Sequence, residues 1–280
     1  MDGLVTSAVL LAAFMHAIWN AFLKSDNDKL TSVTAIACAT GLIALFFLPF
    51  VPLPSAESWP YIALSVASHF TYYVFLSQAY HHGEFGQVYP IARGSAPLLI
   101  VLWSVFVLHE VLTPIQLGTI VAIIIGIMVF ASRGFNTLIH NRKLFLFIFL
   151  TSVSIGVYTI TDGKGARLSQ SVPGYMIWLS VLDFLPILIF TMTRRPIHKI
   201  VSQIFHWRAF FAGGISLAAY WIVVWAMTQA PIALVSALRE TSIIIATLIG
   251  TFYFKEKSGY RRFIAALIIC ISIAVMKIYG

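Results

Sequence analysis

Two arginines, Arg93 and Arg239, stand inside stretches of this chain that are otherwise almost wholly apolar. A guanidinium at the centre of a bilayer costs about 2.5–3.5 kcal/mol on insertion scales, so it is kept for a pathway, a ligand or a charged partner. Glu240 and Asp183 are the carboxylates within apolar runs that can supply such a partner. Glu240 can alternatively hold a substrate or carry a proton. Asp183 falls in a seventh apolar stretch, where an ion pair or an oligomer contact is the reading preferred over ligand binding. His16 and His69 can titrate near neutral pH; the plainer alternative is a histidine satisfied within a core.

Residues three and four apart share a helix face, so polar stripes can be read from spacing. One face carries His16, Trp19 and Asn20, and another His69, Tyr72, Tyr73 and Leu76. The most continuous stripe is Thr151, Ser154, Tyr158, Thr161 and Asp162. Tyr220, Trp221, Val224 and Trp225 form a fourth; Tyr89 with Arg93, and Arg239 with Glu240, complete the set. Rings so placed can cage an organic cation at roughly 0.5–2 kcal/mol per contact. They can equally stack on an aromatic ligand or fill a large cavity.

Enzyme signatures are thin. His109-Glu110 lacks the second histidine of a zinc-protease helix. His81 and His82 are adjacent, so on a helix they point apart. Gly94-Ser95 has no second glycine where a nucleophile elbow needs one, and the chain contains no P-loop.

These residues are positioned by ten apolar stretches of helix length, at about 4–23, 31–50, 60–80, 88–109, 115–132, 144–162, 173–192, 209–228, 232–254 and 262–279. Hydrophobic residues make up 60% of the 280 and charged residues 10%, which leaves no segment long enough for a soluble domain. The chemistry therefore takes place in a membrane, where lipid-facing backbone must be helical. The formal charge of +8 suggests nucleic acid until its residues are placed. On the side opposite the N-terminus, the loops carry thirteen basic residues, among them Lys24, Arg133, Arg194, Arg195, Lys199 and Arg208. The N-terminal side has three, Lys164, Arg167 and Lys277. The basic side is expected to be cytoplasmic, with both termini outside; no nucleic-acid partner is expected. Cys38 and Cys270 lie within apolar stretches and read as buried free thiols. No metal site is expected.

The arginines also expose a repeat. Arg93 precedes Glu110 by 17 residues, and Arg239 precedes Glu256 by the same interval. The surrounding segments align without gaps at a shift of 146. Gly118, Ala122 and Gly126 in the fifth stretch match Ala266, Cys270 and Ala274 in the tenth, a spacing that lets helix backbones approach. Two halves follow, 1–140 and 141–280, each with five spans. Five is odd, so the second half enters the membrane inverted, the plan of many secondary transporters.

The five-plus-five plan, Arg93-Gly-x-x-Pro97 running into Leu-His-Glu110, and Leu-Arg239-Glu240 running into Phe-Lys-Glu256 resemble the EamA-type transporters of the drug/metabolite transporter superfamily. His16-Ala-Ile-Trp19-Asn20 is similar to a subgroup often linked to phosphonate use. The resemblance implies an all-α membrane protein, with spans 1, 3, 4, 6, 8 and 9 around a central cavity and 2, 5, 7 and 10 outside. It implies a carrier of small metabolites in the bacterial inner membrane, with no cofactor. Expected partners are a small-molecule substrate and the lipid bilayer, the protein being a monomer or homodimer. The expected substrate site comprises His16, Trp19, Asn20, His69, Tyr72, Tyr73, Tyr89, Arg93, Tyr158, Tyr220, Trp221, Trp225, Arg239 and Glu240. An intramembrane enzyme acting on a lipid-linked or small hydrophobic substrate is the alternative; a channel or structural partner is a third.

Overall fold

A computed structural model describes residues 2–26, 28–82, 85–131, 141–252 and 260–279. Arg133, Lys255, Glu256 and Lys257 lie outside the described residues. All regular structure among the described residues is helical. The first half contributes α1 (Gly3–Ser25), α2 (Lys29–Phe47), α3 (Trp59–His82), α4 (Phe85–Phe106) and α5 (Pro114–Ala131). The second contributes α6 (Arg142–Leu168), α7 (Val172–Met192), the short α8 (Ile197–Ile204), α9 (Trp207–Gln229), α10 (Ile232–Arg239), α11 (Ser242–Phe252) and α12 (Tyr260–Tyr279). Among the described residues, five helical stretches are long and apolar enough to cross a membrane: Gly3–Leu23, Lys29–Phe50, Arg142–Leu168, Val172–Met192 and Trp207–Gln229.

The ends of these helices follow from local chemistry. Asn141 caps α6 by accepting from Leu144 N at 3.1 Å, and Ser171 caps α7 through Gly174 N at 3.0 Å. Prolines precede α8 and α10 at Pro196 and Pro231, where a missing N–H costs nothing. The ninth stretch, expected to be one helix, is broken: after Arg239 the chain makes tight turns, with Glu240 N bonding Ala237 O and Ile243 N bonding Glu240 O. Ser236, Thr241 and Ser242 around this break keep buried hydroxyls with no hydrogen-bond partner. Irregular backbone at membrane depth is tolerated only where it is enclosed by protein or lines a cavity.

Helices from the two halves interleave. The principal partners are α3 with α6, α1 with α9, α2 with α7, and α5 with α12. Exchanging each helix for its counterpart in the other half turns α1–α9 into α6–α3 and returns the other two pairs to themselves. Short hydroxyl bonds stitch these contacts: Thr34 to Thr191 at 2.7 Å, Thr71 to Ser154 at 3.1 Å, and Ser152 to Ala92 O at 2.9 Å. Large apolar side chains such as Leu11, Phe46, Leu102, Phe149 and Ile271 stay exposed on the outside, as a lipid-facing surface requires.

The α5–α12 pairing agrees with the small-residue spacing, but only part of that spacing is used. A side chain added at Gly126 would strike Ile269 and the Ala265 carbonyl, whereas Gly118 has nothing within 4 Å. Ala265, Ile269 and Ser272 are buried, while Cys270 and Ala274 are exposed. The α12 seam is therefore displaced by one position from Ala266, Cys270 and Ala274.

At the loop end of α2, Arg195 Nε donates to Asp28 Oδ2 at 2.7 Å. Partial burial pulls the Asp28 carboxyl upward, but hydrogen bonds from Arg195 and Thr31 outweigh it and hold the group below its ordinary value. A depressed carboxylate stabilises the fold above its unfolded-state value, near 4, and loses that contribution as pH falls through the lower folded-state value. Asp28→Asn keeps the cap and removes the ion pair; its cost should stay below about 1 kcal/mol at neutral pH. Melting temperatures of variant and parent should converge in acid.

Where α9 crosses α2, Gly213 admits no side chain. A Cβ there would lie 2.9 Å from both Ala39 Cβ and Thr40 N, and 3.1 Å from Ile36 O. Gly213→Ala should cost about 1–3 kcal/mol, read as a lower melting temperature in detergent. Gly214→Ala, which meets only Ile43 Cδ1 at 3.7 Å, is the control that should leave melting unchanged.

Candidate functional site

A cavity lies between the halves, and the space in it open to water-sized molecules is about 100 Å³. His16 and Trp19 of α1, His69, Tyr72 and Tyr73 of α3, and Arg93 of α4 enter from the first half. Tyr158 of α6, Tyr220 of α9 and Arg239 of α10 enter from the second. Val33, Ile36, Ala37 and Thr40 of α2, with Met176, Leu179, Ser180 and Asp183 of α7, also line it. The second and seventh spans are thus not peripheral, contrary to the expectation carried by the family resemblance. The physical reason is their mutual packing: α2 and α7 face each other, and the small Ala37 and Ser180 leave space beside Asp183.

Two arginines and one carboxylate meet at the break between α10 and α11. Arg93 donates to Glu240 from Nε at 3.0 Å and from Nη2 at 3.1 Å, with side chains 3% and 0% exposed. Arg239 Nη2 lies 3.6 Å from the same carboxylate, beyond hydrogen-bond distance, and neither its Nε nor its Nη2 has a hydrogen-bond partner. The repeat-related arginines therefore differ: one is neutralised by a bidentate pair, the other holds donors in reserve.

On α1, Trp19 Nε1 donates to His16 Nδ1 at 3.1 Å. Indole can only donate, so Nδ1 carries the lone pair and the proton of His16 sits on Nε2. That nitrogen is buried without a partner. Across the cavity, His69 stacks on Tyr158 at 4.2 Å, and its Nδ1 lies 3.3 Å from Ser65 Oγ and 3.6 Å from Asp183 Oδ1. Asp183 Oδ1 has no hydrogen-bond partner. Asp162, fully buried, accepts from Tyr175 at 3.0 Å and makes a short bond with Tyr220.

The model of the EamA-like transporter family matches residues 4–132 and again 142–278. The chain belongs to the EamA-like transporter family. A crystal structure of another protein, 17% identical, superposes with a TM-score of 0.73 over 99% of this chain and 97% of its own, which shows the fold. No curated protein matches the chain.

In this EamA-like transporter, nine of the residues expected at the site line the cavity: His16, Trp19, His69, Tyr72, Tyr73, Arg93, Tyr158, Tyr220 and Arg239. Asn20 does not; its amide donates to His16 O at 2.7 Å, one turn back on the same helix. Trp221, one residue after Tyr220, is not part of the lining and packs on the α3–α7–α9 core, and Trp225, also outside the lining, packs into the main apolar cluster. Glu240 is the partner of Arg93 rather than part of the lining. The Tyr89 side chain lies outside the described residues. Sequence reasoning singled out Asp183 but assigned it to an ion pair or oligomer contact and left it out of the site, although a carboxylate in an apolar run is the same costly signal as an arginine. Its cue was Ser180, one turn earlier on the same face.

Replacing Glu240 by Gln leaves Arg93 and Arg239 side by side with their shared carboxylate gone. The expected loss is about 3–5 kcal/mol, seen as a large drop in melting temperature. The double variant Arg93→Gln, Glu240→Gln should recover part of it, and an unchanged single variant would show that the pair does not hold the fold.

Proposed function

We propose that this protein is a secondary active transporter, moving a small polar metabolite across the inner membrane by alternating access. In this reading ten spans form two inverted five-span halves, with both termini outside and the basic loops in the cytoplasm. One observation carries it: a polar, aromatic-walled cavity drawn from both halves, beside a broken helix. Discontinuous helices and midplane sites between repeats are recurring features of such carriers. The exchange pattern of helix pairings supports a two-fold relation between the halves.

Alternating access also needs contacts that close one side and can open. Glu110, beyond the end of α4, accepts from Arg167 of α6 at 2.8 Å and from the Ile232 N–H that starts α10 at 2.9 and 3.0 Å. Arg167 donates further to Met227 O and Ala230 O. The Glu110 bonds tie the first half to α6 and α10 of the second at one end of the bundle, and the opposite swing of the halves must break them. The substrate is an amino acid, aminophosphonate or amine, and transport runs by proton coupling or exchange. The family's transport role leaves the intramembrane-enzyme alternative without support.

Purified protein in liposomes loaded with an unlabelled compound should accumulate the same labelled compound by counterflow, for at least one of these classes. The same liposomes under a pH gradient separate proton coupling from exchange. Flat counterflow across amino acids, aminophosphonates, amines and sugar phosphates would sink the reading.

A further inference from the structure

We infer that the cavity is built for a zwitterion, with an anionic oxygen group held by Arg239 and His16 and an ammonium group held by Asp183. The inference rests on the cavity being the substrate site, and it selects among the classes that reading leaves open.

The selection comes from which cavity groups are already satisfied. Glu240 is committed to Arg93 by two bonds, and Asp162 accepts from Tyr175 and from Tyr220. Asp183 is the buried carboxylate with an oxygen to spare, since Oδ1 stands 3.6 Å from His69 Nδ1 and takes no hydrogen bond. Among the donors, Arg239 keeps Nε and Nη2 unused at 3% exposure, and His16 keeps Nε2–H unused because Trp19 fixes its tautomer. Native structures rarely leave buried polar atoms unpaired without a reason.

The unpaired groups are sorted by sign. Donors come from α1 and α10, and the acceptor from α7, with His69 and Tyr158 stacked within the same cavity. A monovalent anion would satisfy the donors and leave the Asp183 oxygen bare. A simple amine would do the reverse and leave the Arg239 and His16 donors without an acceptor. A ligand with both charges answers the unpaired atoms of all three cavity-lining residues, His16, Asp183 and Arg239, because each buried group left without a partner subtracts from binding. Carboxylate and phosphonate share the chemistry that Arg239 and His16 recognise, bidentate acceptance from a guanidinium and an N–H.

The test is calorimetric binding to the full chain in detergent, with β-alanine, 2-aminoethylphosphonate, propionate, ethanolamine and choline as probes. One or both zwitterions should bind, with propionate, ethanolamine and choline at least tenfold weaker; the two zwitterions compared distinguish carboxylate from phosphonate. Asp183→Asn, isosteric with the parent, should erase the advantage of β-alanine over propionate. Arg239→Gln should erase its advantage over ethanolamine. A merely structural role would weaken all probes alike and leave those ratios unchanged, which would overturn the assignment of poles. Tighter binding of choline, ethanolamine or propionate than of both zwitterions by the parent protein would overturn it without any variant. Zwitterion binding without counterflow would count against transport and leave the two-pole site standing. Counterflow of another class, with no zwitterion bound, would do the opposite.

Discussion

A bidentate ion pair with both side chains almost out of reach of solvent persists only where two helices are held to its spacing. Here Arg93 comes from the fourth span and Glu240 from the interruption of the ninth, so the pair joins equivalent helices of the two halves. Its desolvation cost is large, and each charge is tolerable only because the other is there. The tight turn after Arg239 lets Glu240 leave the helix it would otherwise continue and reach back to α4. The same turn leaves Arg239 Nη2 at 3.6 Å from the carboxylate next to it in sequence, near enough for ionic attraction but beyond a hydrogen bond. Much of the cavity's charge arrangement follows from that one local departure from helix.

Around this pair the bundle divides its polar groups by purpose. Some threonine and serine hydroxyls return to a carbonyl one turn back, as Thr151 and Ser154 do, and others cross to a neighbouring helix, as Ser152 does to Ala92. Such bonds spare these hydroxyls the high penalty of a polar group left unpaired away from water. The atoms left unpaired along the cavity wall are charged or imidazole groups, and they are the ones a ligand would meet.

Much of the fold was legible in the chain because membrane burial leaves few choices. Apolar runs of about 20 residues are helices when no water can satisfy their backbone, and the gapless shift of 146 relates the two halves. The polar stripes were legible for the same reason: helix periodicity places His69, Tyr72 and Tyr73 on one face whatever surrounds them. Periodicity could not tell which neighbour each face meets. It grouped Trp221 with Tyr220, though one residue turns a side chain through about 100°, and it set the α12 seam one position away from the buried Ala265 and Ile269.

The sequence by itself determined that this chain is a helical membrane protein in two related halves, with arginines in the fourth and ninth apolar stretches and aromatic-polar faces on six of the stretches. These are properties of composition, period and repeat, which act along the chain. The tertiary structure decided how the charges are shared: Arg93 makes two hydrogen bonds to Glu240, Arg239 only approaches the same carboxylate and keeps two donors unbonded, and Asp183 lines the cavity although its span was expected at the periphery. Those outcomes depend on distances of 3 to 4 Å between residues as much as 147 positions apart, and no local periodicity encodes which of several possible partners a charge will reach.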